Sequence, residues 1–198
     1  MSPSKAKRQE DNEFFLGNLG NDKITDSILT SIRNANPEFH HAGFMRNGES
    51  AEDNKVRDCY TSWLATKDLN FIENGMRRII ENVNDLLWEF QIKHEWETAI
   101  QVTKYSKIGH HYKWHPDTNR GDGDLDGSDL DRIISLVFCL SHQKNYSGGQ
   151  LQLKKENPKG VVTFKLDYGD FVVFPSRLWH RVTPLESGER MTLVGWYL

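Results

Sequence analysis

The sequence predicts an α+β fold that is mainly β: a jelly roll (double-stranded β-helix, cupin-like) flanked by N-terminal helices. Helical periodicity is confined to the chain before Trp96, and short runs rich in β-branched and aromatic residues follow it. Gly, Pro, Asn and Asp separate these runs, which is typical of antiparallel strands. With 198 residues, the chain is long enough for one domain with a full core and too short for two.

Two segments of the N-terminal half have the spacing of amphipathic helices. Between Asp68 and Phe90, apolar residues recur every three or four positions and would form one stripe. The stripe comprises Ile72, Met76, Ile79, Ile80, Val83, Leu86, Leu87 and Phe90. A weaker helix is predicted over Asp26–Asn36. Residues 1–12 are polar and aperiodic, so we expect a mobile tail before a single domain at 13–198. Within it, residues 13–96 would form a helical support region and residues 97–198 the jelly-roll core.

Seven strands are predicted in the C-terminal half. They are Ala99–Tyr105, Arg132–Leu140, Gln150–Lys154, Val161–Leu166, Phe171–Phe174, Trp179–Val182 and Met191–Tyr197. Seven or eight strands in a Greek-key order make a jelly roll, whose mouth can hold a metal and a small acid. The polar loop Thr118–Asp131 would lie beside that mouth, where it could act as a lid.

Composition and charge argue against several classes of protein. The net charge of −3 is mild and the basic residues are dispersed, so no nucleic-acid partner is indicated. The two cysteines do not suggest a disulfide framework. No run approaches the roughly 20 apolar residues of a membrane span, and the first residues lack the apolar core of a signal peptide. We therefore expect a soluble, intracellular (cytoplasmic) protein with no membrane partner.

Two histidines and an aspartate have a spacing that suits a metal ion. His115 and Asp117 form an H-x-D tripeptide, and His180 follows the apolar run Phe171–Pro175. Residues two apart in an extended segment point to the same face, so His115 and Asp117 would face one ion together. Two histidines and a carboxylate are the donor set of non-haem Fe(II) sites, which leave positions open for oxygen and a co-substrate. We therefore predict a catalytic iron site, with His111 as a competitor for the place of His115.

Arg190 is the fourth candidate, because it begins the otherwise apolar C-terminal strand shortly after His180. A guanidinium binds a carboxylate through bidentate, charge-assisted hydrogen bonds. If Arg190 is buried behind the metal, it would hold the far end of a dicarboxylate whose near end chelates iron. Thr192 lies two residues further on, on the same side, and its hydroxyl could donate another hydrogen bond.

Four ordered segments carry a family resemblance. They are residues 105–117 (YSKIGHHYKWHPD), 146–151 (YSGGQL), 169–175 (GDFVVFP) and 180–184 (HRVTP), the last leading to Gly188-Glu189-Arg190. In these segments the chain resembles the prolyl 4-hydroxylase-like branch of the 2-oxoglutarate and Fe(II)-dependent dioxygenases. The resemblance spans residues 99–198, half of the chain.

The resemblance implies Fe(II), 2-oxoglutarate and O2 as cofactor and co-substrates, with ascorbate as an accessory cofactor. It implies that His115, Asp117 and His180 bind Fe(II). It implies further that Arg190 binds the distal carboxylate of 2-oxoglutarate, helped by Tyr105 and Thr192, with Tyr112 as the alternative tyrosine. Collagen-type prolyl hydroxylases usually carry lysine at the position of Arg190, so the chain looks closer to the branches that use arginine.

The implied reaction is hydroxylation of an unactivated C–H bond, in the first place of a prolyl residue in a peptide or protein, with release of succinate and CO2. One alternative is a hydroxylase of a free amino acid or another small metabolite, which would need a smaller pocket. Another is a non-catalytic cupin-like metal-binding or sensing domain, which would have no use for the guanidinium of Arg190. Trp114 and Trp179 flank the ligands and are candidates for the wall of the site.

Overall fold

The computed structural model describes residues 13–46, 49–51, 53–65, 69–92, 99–118 and 132–198. Within these ranges the protein has two α-helices, α1 (Asp22–Asn34) and α2 (Asn70–Leu87), and sixteen mostly short strands. The strands are β1 (Phe15–Asn18), β2 (His40–His41), β3 (Phe44–Arg46), β4 (Glu49–Ala51), β5 (Arg57–Asp58), β6 (Tyr60–Ala65), β7 (Ala99–Tyr105), β8 (His111–His115), β9 (Ile134–Cys139), β10 (Tyr146–Gly148), β11 (Leu151–Lys155), β12 (Gly160–Phe164), β13 (Asp170–Pro175), β14 (His180–Val182), β15 (Leu185–Gly188) and β16 (Arg190–Tyr197). The predicted tail 1–12 and the predicted lid, apart from Thr118, lie outside the described residues.

Two antiparallel sheets form the core of the fold. The major sheet has seven strands in the order β1-β13-β9-β16-β7-β6-β2, and the minor sheet has five in the order β12-β11-β14-β8-β5. Two further sheets have two strands each, β10-β15 and β3-β4. Strands distant in sequence are neighbours in both sheets, as in a jelly roll, and the predicted mainly β fold is confirmed.

The central strand β9 serves two hydrophobic cores at once. Leu136 and Phe138 pack in the core shared with the helices, whereas Val137 and Cys139 pack in the core that includes Leu153 of the minor sheet. Successive side chains of a strand point to opposite faces, which explains why one apolar run can fill both cores. The helices therefore cover the outer face of the major sheet, and the space between the sheets is the interior of the jelly roll.

The helices begin and end differently from the prediction. Helix α1 begins at Asp22 because the side chain of Asn21 accepts a hydrogen bond from the backbone N–H of Lys23 at 3.0 Å, an N-cap that periodicity alone does not reveal. Helix α2 buries most of the predicted stripe, but Leu86 is 66% exposed. Its place in the stripe was wrong, because it lies at the edge of the helix face that contacts the sheet.

The seven predicted strands are all present, with bounds shifted by at most two residues. The support region at 13–96 is, however, not purely helical. Strands β1, β2 and β6 join the major sheet, and β5 joins the minor sheet. Beyond this correction, the division of the domain near residue 96 stays a prediction.

The described residues contain neither a disulfide nor a helix suited to span a membrane. Both cysteines, Cys59 and Cys139, are buried and free. Neither helix in the described ranges combines the length and the apolar character needed to cross a bilayer.

Helix α2 offers a test of how the fold is stabilised. Ile80 is 0% exposed and packs between the helix and the sheet, whereas Leu86 is solvated on the same helix. We expect Ile80→Ala to lower the free energy of unfolding by about 2–5 kcal/mol, because it removes buried methyl groups and leaves a cavity. Leu86→Ala should change it by less than about 0.5 kcal/mol. Urea denaturation of the two variants measures both values, and equal losses would contradict the packing described.

Candidate metal centre

The structure brings His115, Asp117 and His180 together at one point. One potential ligand atom from each side chain lies within 4.8 Å of the others. His115 Nε2 is 3.7 Å from Asp117 Oδ1, and His180 Nε2 is 3.4 Å from Asp117 Oδ2. The two histidines are register partners across the antiparallel pair β8-β14. In the described part of the chain this is the one cluster of three such groups that could hold a metal ion.

Backbone carbonyls hold both imidazole rings in the orientation that a metal requires. His115 Nδ1 lies 2.7 Å from the carbonyl oxygen of Lys113, and His180 Nδ1 lies 2.9 Å from that of Leu178. A carbonyl oxygen can only accept a hydrogen bond, so each Nδ1 carries a hydrogen. In the neutral rings the lone pair is therefore on Nε2, the nitrogen that faces the cluster.

Asp117 lies just beyond the end of β8, not within the strand as the spacing suggested. Its backbone N–H donates to the carbonyl of Ser176 at 2.8 Å. Its Oδ2 accepts a hydrogen bond from Ser135 Oγ at 2.8 Å, and Ser135 Oγ is also 2.8 Å from Ser176 Oγ. Strand β9 and the loop after β13 thus fix the carboxylate, a supporting arrangement common around metal ligands.

The three groups shift one another's pKa values. Burial, the largest single influence, would raise the pKa of Asp117, but the charge and hydrogen bond of His180 and the charges of His115 and Arg132 together outweigh it, so the pKa lies well below its usual range. Burial and then the charge of His180 hold the pKa of His115 well below 6.5. Burial lowers the pKa of His180, but the charge and hydrogen bond of Asp117 and the hydrogen bond to the Leu178 carbonyl together raise it more, so the net shift is upward from 6.5. Asp117 is therefore ionised and His115 neutral at neutral pH, as ligands must be.

The raised pKa of His180 makes metal binding depend on pH. The metal must displace a proton from His180 below its folded pKa, which lies above 6.5. We expect Mn(II) affinity to rise about tenfold per pH unit up to that pKa and then to level off. Calorimetric titration with Mn(II) across about pH 5.5 to 8.5 measures this dependence. An affinity independent of pH over that range would contradict it.

Arg190 lies at the start of β16 and is 1% exposed. It pairs in register with Tyr105 of β7, and its Cζ is 5.4 Å from the centre of the Tyr105 ring. Its Nη2 has no hydrogen-bond partner among the described residues. An unpaired N–H on a buried cation is costly, and an anionic ligand would remove that cost.

The other predicted residues divide between the surroundings of Arg190 and those of the His115, Asp117 and His180 cluster. Tyr105 is 2% exposed and lies against Arg190, and Thr192, also 2% exposed, follows Arg190 on the same face of β16. Tyr112 lies at the metal end, where its ring stacks on His115 at 3.5 Å between ring centres. Of the two tyrosines, Tyr105 is thus the one beside the guanidinium.

Arg57 also lies beside this site, packed against Tyr112, although the sequence did not mark it as a candidate. It is 8% exposed, and its Cζ lies 4.5 Å from the centre of the Tyr112 ring. Its Nη2 donates to Gln101 Oε1 at 2.8 Å and its Nη1 to the carbonyl of Gly43 at 3.0 Å, while Nε has no partner among the described residues. The one local signal was an arginine in the short extended run before the buried Cys59.

Three other candidates lie elsewhere. The ring of His111 contacts the backbone carbonyls of Gly109 and Lys55, and His111 is not part of the cluster. Trp114 and Trp179 both pack on Lys154, whose Nζ is 4.8 Å and 5.1 Å from their respective ring centres. Each tryptophan directly precedes a histidine of the cluster, and alternation along β8 turns the Trp114 indole to the face opposite His115.

A different pair of tryptophans borders the cluster. Trp196 pairs in register with Ser135, the serine that donates to Asp117. Trp63 stacks on Trp196 at 5.7 Å between ring centres and is 47% exposed. The guanidinium of Arg132 lies 3.8 Å above the Trp196 ring. An aromatic and cationic surface therefore leads from the carboxylate to solvent.

Known proteins resemble both the sequence and the fold. A PKHD-type hydroxylase of Idiomarina loihiensis is 31% identical over 97 residues, which are 49% of this chain and 40% of that protein. One of Crocosphaera subtropica is 38% identical over 63 residues, 32% of this chain and 28% of that protein. The matches thus span less than half the length of these relatives. Among solved structures, a prolyl-4-hydroxylase of Pseudomonas putida has a TM-score of 0.70 at 19% identity, covering 96% of this chain and 95% of that one.

A second solved structure is a prolyl hydroxylase from Trichoplax adhaerens in complex with a peptide fragment of hypoxia inducible factor. Its TM-score is 0.75 at 21% identity, and the likeness covers 97% of this chain and 86% of that one. These identities are low, so the structural likeness speaks for the fold alone. The sequence model of the 2OG-Fe(II) oxygenase superfamily matches residues 100–198, the half of the chain that contains His115, Asp117, His180 and Arg190. This chain belongs to the 2OG-Fe(II) oxygenase superfamily.

Proposed function

We propose that this protein is an Fe(II)- and 2-oxoglutarate-dependent dioxygenase that hydroxylates a prolyl residue in a peptide or protein. The observation that carries the proposal is the combination of two features that are linked through the packed side chains of Tyr105 and Tyr112. These are the convergence of His115, Asp117 and His180 within 4.8 Å and the buried Nη2 of Arg190 that lacks a partner. A metal and a dicarboxylate would satisfy both features.

Each residue has a definite task in this proposal. His115 and His180 offer Nε2 and Asp117 offers a carboxylate oxygen, a donor set that suits Fe(II) and leaves other positions open. Arg190 holds the distal carboxylate of 2-oxoglutarate, beside Tyr105 and Thr192. When bound, iron, 2-oxoglutarate and O2 supply the oxidant that attacks an unactivated C–H bond, with release of succinate and CO2. The protein excludes water, orients the groups and fixes the charges around them.

The surroundings of the cluster favour a peptide over a small metabolite. A peptide needs an open groove, and the stacked Trp63 and Trp196 extend from the register partner of Ser135 to the surface, where Trp63 is 47% exposed. Trp63 also lines a surface cavity of about 570 Å³ together with residues of β2 and of the segment that joins α1 to β2. An extended chain could lie along this path with one ring held against the aromatic surface. The Trichoplax adhaerens protein of the same fold is described in complex with a peptide, which agrees with this arrangement.

A non-catalytic metal-binding domain is the weaker alternative. Such a domain has no need for a guanidinium buried at 1% exposure without a full set of partners. Maintaining that charge makes physical sense where a carboxylate binds to it.

The test is a turnover assay with product analysis. The protein is supplied with Fe(II), 2-oxoglutarate and O2, and succinate is measured over a panel of prolyl peptides, free proline and other free amino acids. We expect succinate release to be stimulated by a prolyl peptide, and mass spectrometry to place one added oxygen on the prolyl residue. If free proline were oxidised and none of the peptides were, the protein would instead be a small-metabolite hydroxylase. Metal binding without any 2-oxoglutarate binding would favour the non-catalytic domain.

A further inference from the structure

Tyr112 and His115 stack on each other although both belong to strand β8. In a regular strand, residues three apart point to opposite faces. Strand β8, however, has two residues between the register partners of Val182 and His180, whereas β14 has only Arg181 there, so β8 contains a bulge. The bulge allows Tyr112 and His115 to share one side of the strand, where their rings lie 3.5 Å apart between centres and 20° from parallel.

The guanidinium of Arg57 also lies over the Tyr112 ring, with Cζ 4.5 Å from the ring centre. Arg57 and Tyr112 are register partners across the short antiparallel pair β5-β8. Two flat groups this close to one ring centre cannot share the same side of it without overlapping. The Tyr112 ring is therefore held between the guanidinium of Arg57 and the imidazole of His115.

Both terminal nitrogens of Arg57 are fixed by acceptors outside β5. Nη1 donates to the carbonyl of Gly43 at 3.0 Å, and Nη2 donates to Gln101 Oε1 at 2.8 Å. Gln101 is 5% exposed, and its Oε1 accepts a second hydrogen bond from Thr103 Oγ1 at 3.1 Å. A guanidinium is a rigid planar fork, so two anchored nitrogens fix its plane. Arg57 thus cannot move away from Tyr112 without breaking buried hydrogen bonds.

We propose that Arg57 is a positioning residue of the metal centre, because it holds the Tyr112 ring against His115 and so limits rotation of that imidazole. This inference rests on the metal site of the proposed function. The carbonyl of Lys113 holds Nδ1 of His115 at one edge of the ring, 2.7 Å away. A single hydrogen bond at an edge still allows the ring to tilt, and the face contact with Tyr112 opposes that tilt. Groups that orient a ligand histidine contribute to metal affinity through it.

Arg57→Lys tests the inference without removing a charge. The positive charge and its repulsion of a cation are retained, but an ammonium cannot reproduce the planar fork to Gly43 and Gln101. We expect the Kd of Mn(II) to rise about tenfold, as for the loss of a group that orients a metal ligand. Calorimetric titration at constant pH measures it. Arg77→Lys is the matched control and should keep native affinity, because Arg77 lies over the ring of Tyr197, at 5.8 Å, and not over Tyr112.

Two substitutions of Tyr112 separate its ring from its hydroxyl. Tyr112→Phe retains the stacked ring and should bind Mn(II) with native affinity. Tyr112→Leu removes the ring and should raise the Kd about tenfold. The visible spectrum of the Co(II)-loaded protein adds a readout that depends on the geometry of the ligands and not on stability. We expect this spectrum to change in Arg57→Lys and Tyr112→Leu and to stay native in Tyr112→Phe.

A double-variant cycle tests whether Arg57 acts through Tyr112. Adding Arg57→Lys to Tyr112→Leu should cause no further loss of Mn(II) affinity, because the ring being positioned is already gone. Additive losses would overturn the inference, as would native affinity with a native Co(II) spectrum in Arg57→Lys. If Arg57→Lys does not fold, Gln101→Met takes its place, since it removes the acceptor of Nη2 and leaves the charge. Native affinity in that variant would equally overturn the inference.

Failure of the proposed function looks different from failure of this inference. A native protein that binds Mn(II) but not 2-oxoglutarate would contradict the proposed function and leave the role of Arg57 intact. A native protein that binds no Mn(II) would overturn both. At saturating Mn(II), Arg57→Lys should bind 2-oxoglutarate as the native protein does, because Arg57 acts on the metal ligand and not on the co-substrate.

Discussion

Asp117→Ala is expected to lower the affinity for Fe(II) or Mn(II) by more than about 100-fold and to abolish 2-oxoglutarate turnover. Loss of a residue that merely supports a ligand costs roughly 10- to 100-fold in metal affinity, so loss of the ligand itself should exceed that range. The carboxylate also lies 3.7 Å and 3.4 Å from the two histidines, so its removal leaves two rings without a shared anion. Calorimetric titration with Mn(II) measures the affinity, and succinate release measures turnover.

Asp58 provides a matched control for this prediction. It too lies beside two histidines, with Oδ1 at 3.0 Å from His41 Nε2 and 3.6 Å from His110 Nε2. That group is not among the arrangements that could hold a metal in the described ranges. Asp58→Asn should therefore retain native Mn(II) affinity. If Asp117→Ala kept the affinity and Asp58→Asn lost it, the metal would belong to the other group and the site described here would be wrong.

Much of the β-rich half could be predicted because its signal is local. Alternation and turn residues depend only on neighbours in sequence, and they placed β9, β13 and β16 within two residues of their observed bounds. His115 and Asp117 could also be found from local sequence, because both residues of the H-x-D tripeptide lie at the end of a single strand. The family match over residues 100–198 supports the resemblance read from the four segments.

Residues that join the site through long-range pairing could not be predicted in this way. Arg57 contacts Gln101, 44 positions away. An arginine in a short extended run is a weak local signal, and the distant contact that brings Arg57 to the site leaves no mark in its sequence neighbours. Strand β6 was missed for a similar reason, since its place in the major sheet depends on pairing with β7. Whether such a segment forms a strand depends on the neighbouring strand with which it can pair.

The site contains two buried arginines, Arg57 and Arg190, each with one buried nitrogen that lacks a partner in the described part of the chain. Such groups oppose folding, because a buried cation loses its hydration. A binding site often retains this kind of unfavourable group because its ligand satisfies it. We therefore expect that removing the charge of Arg190 weakens 2-oxoglutarate binding without lowering the stability of the ligand-free protein.

Arg190→Met is expected to raise the Kd of 2-oxoglutarate by about 100-fold or more while leaving the affinity for Mn(II) unchanged. Loss of one member of a buried charge pair costs about 2–5 kcal/mol of binding free energy, and a bidentate guanidinium contact lies within that range. The ligand-free variant should be no less stable than the native protein, because an unbranched apolar side chain replaces a buried and incompletely paired cation. A saturating ligand, at about 100 times Kd, stabilises a protein by about 2.7 kcal/mol, so the native protein should show a thermal shift that the variant lacks.

Arg177→Met controls for the loss of a positive charge, because Arg177 is solvated and pairs with Glu156 at 3.2 Å. It should bind 2-oxoglutarate as the native protein does. If Arg190→Met instead kept native 2-oxoglutarate affinity, the distal carboxylate would have to bind another donor. Arg57, whose Nε is buried without a partner among the described residues, would then be the next candidate. The Arg57→Met variant would decide between the two arginines, since only the one that binds the carboxylate can abolish the thermal shift.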